Sequence, residues 1–119
     1  MRQPLEITRG RTVPISFPVY NEKTGAPYVL ADGELLLFGI KKDPDKDQAP
    51  IFVKAAVADP DAGEGWYLVT LHPEDTQDLA PGVYYYDIGL ESGGEYLDIV
   101  RKSTFTIESN VTGKGDSYA

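Results

Sequence analysis

Between Val83 and Leu90 the chain alternates strictly, with Tyr84, Tyr86, Ile88 and Leu90 at one parity and Val83, Tyr85, Asp87 and Gly89 at the other. That period of two belongs to a half-buried strand, whose apolar parity faces a core. The stretch before it, Leu71-His72-Pro73-Glu74-Asp75-Thr76-Gln77-Asp78-Leu79-Ala80-Pro81-Gly82, closes one strand and opens the next. Pro73 fixes φ at a segment start, Glu74 and Asp75 suit a first helical turn, and Pro81-Gly82 stops it. Glu74 to Ala80 therefore predicts one to two helical turns between two antiparallel strands.

Tyr84 stands two residues after Gly82, at the start of the strand that follows this turn. Immunoglobulin-like sandwiches place a tyrosine corner there, a phenol that hydrogen-bonds back to the connection and pins it. Tyr84 is assigned that role, with Gly82 closing the turn and Tyr86 as a second inward ring. The plainer reading is a core tyrosine whose hydroxyl finds some partner at the rim.

The remaining chain reads as short strands between turn signals. Leu5-Glu6-Ile7-Thr8 is a first strand, and Thr12 to Val19 is a second, with Val13, Ile15, Phe17 and Val19 on one face. Pro14 and Pro18 share the other parity and remove two donors from one edge, so this strand belongs at a sheet border. Tyr20 to Gly33 is a connection. Glu34 to Lys42 is apolar on both faces and predicts a central strand. Ile51 to Val57 reads as one strand and Trp66 to Leu71 as another, separated by the acidic loop from Asp59 to Gly65. Glu91-Ser92-Gly93-Gly94-Glu95 predicts a hairpin tip, since adjacent glycines supply positive φ. Tyr96 to Ile107 is the last strand. Arg101 and Ser103 interrupt its apolar parity of Leu97, Ile99, Phe105 and Ile107, which predicts a bulge near Arg101-Lys102. Residues 1–112 form one domain in this reading, and the polar stretch 113–119 a flexible tail.

At 119 residues the chain can bury a core without metal or disulfide, and it contains no Cys. Nothing near the N-terminus resembles an apolar signal segment, and no run approaches the roughly 20 apolar residues that span a bilayer. Membrane insertion and secretion are not expected. The net charge of -8, with no Lys/Arg cluster, repels a phosphate backbone and argues against nucleic acid as a partner.

Chemistry has little to work with. His72 is the single histidine, and no Gly-x-Ser-x-Gly elbow accompanies it. Asp43-Pro44-Asp45-Lys46-Asp47 has the acid spacing of a calcium loop, but Gln48 takes the glycine place and Lys54 that of the bidentate Glu. The strand from Ile51 to Val57 should carry Asp59, Asp61 and Glu64 to the opposite end, away from those acids. Gly113-Lys114-Gly115 lacks the phosphate-loop pattern, and Asn110-Val111-Thr112 matters only for a glycosylated product. No catalytic residue, cofactor or metal site is expected. Tyr85, Trp66 and Tyr67 are the candidates for contact with a partner, as anchors of a protein interface or as a platform for sugars.

Taken in order, Ile7-Thr8-Arg9-Gly10, Gly25-Ala26-Pro27-Tyr28-Val29-Leu30, Leu37-Phe38-Gly39-Ile40-Lys41, Pro50-Ile51-Phe52-Val53-Lys54, Leu71 to Thr76, Leu79 to Ile88 and Val111-Thr112 resemble one family. It is the small immunoglobulin-like domain of phage and prophage tail or baseplate-associated proteins from Gram-positive bacteria. Tyr86 stands where antibody variable domains have Cys, so antibody-like recognition does not carry over. The resemblance implies a non-enzymatic virion structural or adaptor module whose partners are other tail or baseplate proteins, with self-association left open. The fold expected is all-β, an immunoglobulin-like antiparallel sandwich of about seven strands with one short helical turn. The rival is a carbohydrate-binding module for host-cell glycans.

Overall fold

The computed structural model describes residues 4–109; the readings made for 110–119 lie outside the described residues. The elements are β1 (Leu5–Thr8), β2 (Val13–Pro18), β3 (Leu35–Lys41), β4 (Phe52–Ala55), β5 (Val57–Ala58), β6 (Trp66–Leu71), α1 (Pro73–Thr76), β7 (Gly82–Ser92) and β8 (Glu95–Glu108). They form an all-β sandwich of a five-stranded sheet, in the order β1-β8-β7-β3-β4, and a three-stranded sheet, in the order β2-β6-β5.

Alternation builds the core. Tyr84, Tyr86, Ile88 and Leu90 of β7 are buried beside Leu36, Phe38 and Ile40 of β3 and Phe105 and Ile107 of β8. Phe17 of β2 and Tyr67, Val69 and Leu71 of β6 close over them from the other sheet. Phe38 is fully buried, its ring 5.2 Å from that of Tyr86 and 6.0 Å from that of Phe105. Truncating so central a ring to Ala costs ~3–5 kcal/mol. As its two prolines require, β2 is an edge strand, and β3 lies between β7 and β4.

Four details depart from the sequence reading. The pairing is not wholly antiparallel, because β1 runs parallel to β8 with Leu5 opposite Phe105. The chain turns at Arg9–Arg11 to reach the other sheet, which leaves β1 alongside the last strand rather than beside β2. The stretch from Ile51 to Val57 is two strands, not one: β4 pairs with β3, and after Ala56 the chain crosses to pair β5 with β6. Ala56 N–H still donates to the Leu36 carbonyl at 2.8 Å, and its small side chain lets the chain turn across the core margin. β8 carries the bulge at Arg101-Lys102 and also a second one at Ile99, as the pairs Tyr86–Ser103, Ile88–Val100 and Gly89–Asp98 require. The extra residues let Val100 and Ser103 both face inward while Arg101 and Lys102 stay exposed. Finally, Leu97, expected on the apolar face, is exposed together with Tyr96 beyond the second bulge.

Between β7 and β8 the turn is Gly93-Gly94, both with positive φ (57° and 85°), as a two-residue hairpin demands.

Two connections, β1–β2 and β6–β7, meet at α1. His72 precedes it with extended backbone, Asp75 accepts a 2.7 Å hydrogen bond from His72 N–H, and Gln77 N–H reaches the Pro73 carbonyl. Thr76 is fully buried, and its Oγ1 accepts the Gly10 N–H at 2.8 Å, tying the β1–β2 crossing to the helix. The Tyr84 hydroxyl donates to the Ala80 carbonyl at 2.7 Å, closing the far end of the same connection.

Replacing Tyr84 with Phe should lower stability by about 1–2 kcal/mol, and Thr76→Val by about 1–3 kcal/mol because it leaves the buried Gly10 N–H unpaired. Urea unfolding measures both as a fall in midpoint at constant slope. Unchanged midpoints in both variants would remove these hydroxyls from the stability account.

Candidate functional site

Each titratable group that could do chemistry has a place in the fold. His72 is exposed at the N-terminus of α1. Its near neighbour Asp75 is already engaged, by the Lys54 ammonium at 2.9 Å and by the His72 N–H. Burial pushes the Asp75 carboxyl up, but those two hydrogen bonds outweigh it, and the group sits below the usual carboxylate range. Glu34 is likewise lowered, first by the Tyr28 hydroxyl at 2.7 Å and then by the Ala31 N–H. Among the described residues, no group of three or more His, Cys, Asp or Glu side chains is placed to hold a metal ion, and no helix is long and apolar enough to cross a membrane.

The acid loops expected at opposite ends are so placed. Residues 43–48 follow Lys41 of β3, whereas Asp59 follows β5, near the Leu36 end, where its carboxylate accepts a hydrogen bond from the Ser16 hydroxyl at 3.1 Å.

The residues singled out as contacts are divided by the fold. Tyr67 is a correction: it is 4% exposed, its ring packs against Phe17, and its hydroxyl donates to the Tyr28 carbonyl while accepting the Leu30 N–H. It anchors the long connection before β3 and cannot meet a partner. The reason lies in parity, since β6 is apolar on both faces and its sequence alone does not say which one turns inward. Trp66 and Tyr85 are half-buried but belong to different sheets. With Tyr84 and Tyr86 in the core as well, these rings form no continuous row for stacking on a sugar.

The structural residues sit together at the start of β7. Gly82 has φ of 148°, and a side chain there would press on the Lys42 ammonium at 3.3 Å. That ammonium lies 4.4 Å from the centre of the Tyr84 ring and donates to the Val83 carbonyl. Burial pushes the Tyr86 phenol up to about 12, so it stays neutral inside the core.

The outer face of the five-stranded sheet offers more than the rings did. Tyr85 lies in a shallow groove with Lys41, Pro44, Pro50, Asp87 and Lys102. Asp87 is raised, chiefly by burial and then by nearby Asp98, with Lys41 opposing. Across Gly39 from Asp87 stands Val53, half exposed, on the outermost strand β4. Ile51, 41% exposed, extends this apolar margin. Sequence reading missed it because it treated residues 51–57 as one continuous strand without assigning a solvent face.

No family model matches the sequence, and no curated protein matches it. Among solved structures the chain is similar to the N-terminal domain of phage TP901-1 ORF48, with 13% identity, 92% of this chain and 86% of that chain covered, and a TM-score of 0.44.

Because the folded pKa of Asp75 is depressed, its contribution to stability is present above the unfolded value near 4 and is lost as pH falls through the folded value. Asp75→Asn should therefore flatten the acid limb of a plot of melting temperature against pH, and Lys54→Met should move the loss to higher pH. Acid limbs that superimpose on the parent would show that the pair contributes nothing.

Proposed function

We propose that this chain is a non-enzymatic, immunoglobulin-like structural or adaptor module of a phage or prophage virion, acting in the tail or baseplate. The observation that supports it most is the strand order. β2, β6 and β5 correspond to strands B, E and D, while β3, β7 and β8 correspond to C, F and G, with β4 added beside C as in variable-type domains. The tyrosine at the start of β7 stands where that architecture puts its corner, and its hydroxyl reaches back four residues to the Ala80 carbonyl. The resemblance of the ordered sequence blocks, from Ile7-Thr8-Arg9-Gly10 to Val111-Thr112, to the phage family supports the virion part of this reading.

Function in such a module comes from surface rather than from reactive groups. Asp75 is held by Lys54, and His72 is exposed at the start of a short helix, so the acid beside the imidazole is already engaged in an ion pair. What the chain offers a partner is backbone at sheet margins and apolar side chains such as Val53, Val57 and Leu35. The glycan reading needs an aligned set of exposed rings, and the burial of Tyr67 and the separation of Trp66 from Tyr85 argue against it.

The expected outcome is that mass spectrometry of particles purified from an induced lysogen carrying the gene finds this protein in fixed ratio to the tail proteins. Particles that lack it, from cells that make it, would overturn the virion role. Binding to purified host-wall polysaccharide without any tail association would favour the glycan reading.

A further inference from the structure

A β-sandwich has to prevent its edge strands from pairing with other chains, and here most edges are blunted. β2 carries Pro14 and Pro18. β8 is covered by β1 over residues 105–108 and broken by two bulges with Arg101 and Lys102 outward before that. β5 has only two residues. β1, the other border of the larger sheet, exposes Glu6 and no apolar side chain, whereas β4 holds no proline and exposes Val53 and Ala55. Ala56 N–H bonds to Leu36, so by strand alternation Phe52 and Lys54 direct their backbone groups to β3. Val53 and Ala55 then direct theirs away from the sheet, with exposed apolar side chains on its outer face.

The charge around this edge is lopsided. Beyond the Leu35 end of the sheet lie Asp32, Glu34, Asp59, Asp61, Glu91 and Glu95, with no Lys or Arg between Pro27 and Ile40 or between Ala56 and Leu71. At the opposite end the loop after β3 and its neighbours hold Lys41, Lys42, Lys46 and Lys102 against Asp43, Asp45 and Asp47, with Asp43 and Asp45 matched by Lys46 and Lys102, and the turn around α1 adds Glu74 and Asp78.

We propose that β4 pairs antiparallel with β4 of a second copy of this chain, about a two-fold axis at Val53. A two-fold axis sets the carboxylate end of each copy beside the lysine end of the other, so the charge pattern favours this occupant and disfavours parallel stacking. The register is selected by side chains. Centred on Val53, it sets Val53 against Val53 on the outer face, whereas centring on Lys54 would bring together two lysines in place of two apolar side chains. Across the axis each Val53 N–H finds its acceptor in the partner's Val53 carbonyl.

Sedimentation equilibrium of the full chain over a range of concentrations tests this. A monomer–dimer equilibrium that weakens as salt rises is expected. Val53→Pro, which removes a donor aimed away from β3, and Val53→Lys, which opposes two like charges on the axis, should each weaken it roughly tenfold or more. Circular dichroism checks that each variant is folded, and should the proline variant not fold, the lysine variant decides. Exchanging charges, with Lys46→Asp and Asp61→Lys, should weaken association singly and restore it in combination. A chain that stays monomeric at its highest soluble concentration, or a dimer that Val53→Lys leaves intact, would overturn the proposal. Neither result bears on whether the protein is found in particles, so the two readings fail separately.

Discussion

Two hydroxyl groups hold the connection between β6 and β7, and the sandwich depends on them. Thr76, fully buried, takes the Gly10 N–H, and Tyr84 gives its proton to the Ala80 carbonyl. A chain segment crossing from one sheet to the other must bury some backbone, and buried polar groups are costly unless they are paired. Here the two crossings at this end of the fold, Arg9–Arg11 and Pro73–Ala80, satisfy part of each other's demand. The sheets are thereby fixed in relation to one another at a place where no regular ladder can do so.

From that node the packing follows. Tyr84 leads a file of four inward residues on β7, and the file meets Phe38 and Phe105 in an edge-and-face cluster of rings. Such rings bury large areas and favour offset or tilted geometries. A second tyrosine plays a comparable part at the other end, where Tyr67 fastens the long connection before β3 through two backbone groups. Both phenols are apolar over most of their surface and polar at one tip, which suits the boundary between a core and its loops.

The core was legible wherever one parity was apolar and the other polar. β7 is the clear case, and Pro73 with Pro81-Gly82 bounds the turn that holds α1, although the helix ends at Thr76 rather than continuing toward Ala80. Ambiguity arose where both parities were apolar. In β6 the pattern could not choose between Trp66 and Tyr67, and the buried one had been a candidate for partner contact. In residues 51–57 a continuous run of small and β-branched residues concealed a change of sheet, since nothing in Ala55-Ala56 looks like a turn. The bulge at Arg101 was readable because charge broke the apolar parity, while the one at Ile99 replaced one apolar residue by another and left no trace. Thr76 was unremarkable in sequence because its role depends on Gly10, which is distant in the chain.

The parallel alignment of β1 with β8 has a mechanical consequence. Leu5 lies opposite Phe105 and Thr8 opposite Glu108, so a tension applied at residues 4 and 109 drags the two strands past each other along their length. The backbone bonds between them, with the Arg9 N–H to Glu108 carbonyl at 2.9 Å, lie across that pull and share it together instead of opening one after another. A domain strung in line with its neighbours through these two strands would resist stretching far better than one whose end strands peel apart from a single corner.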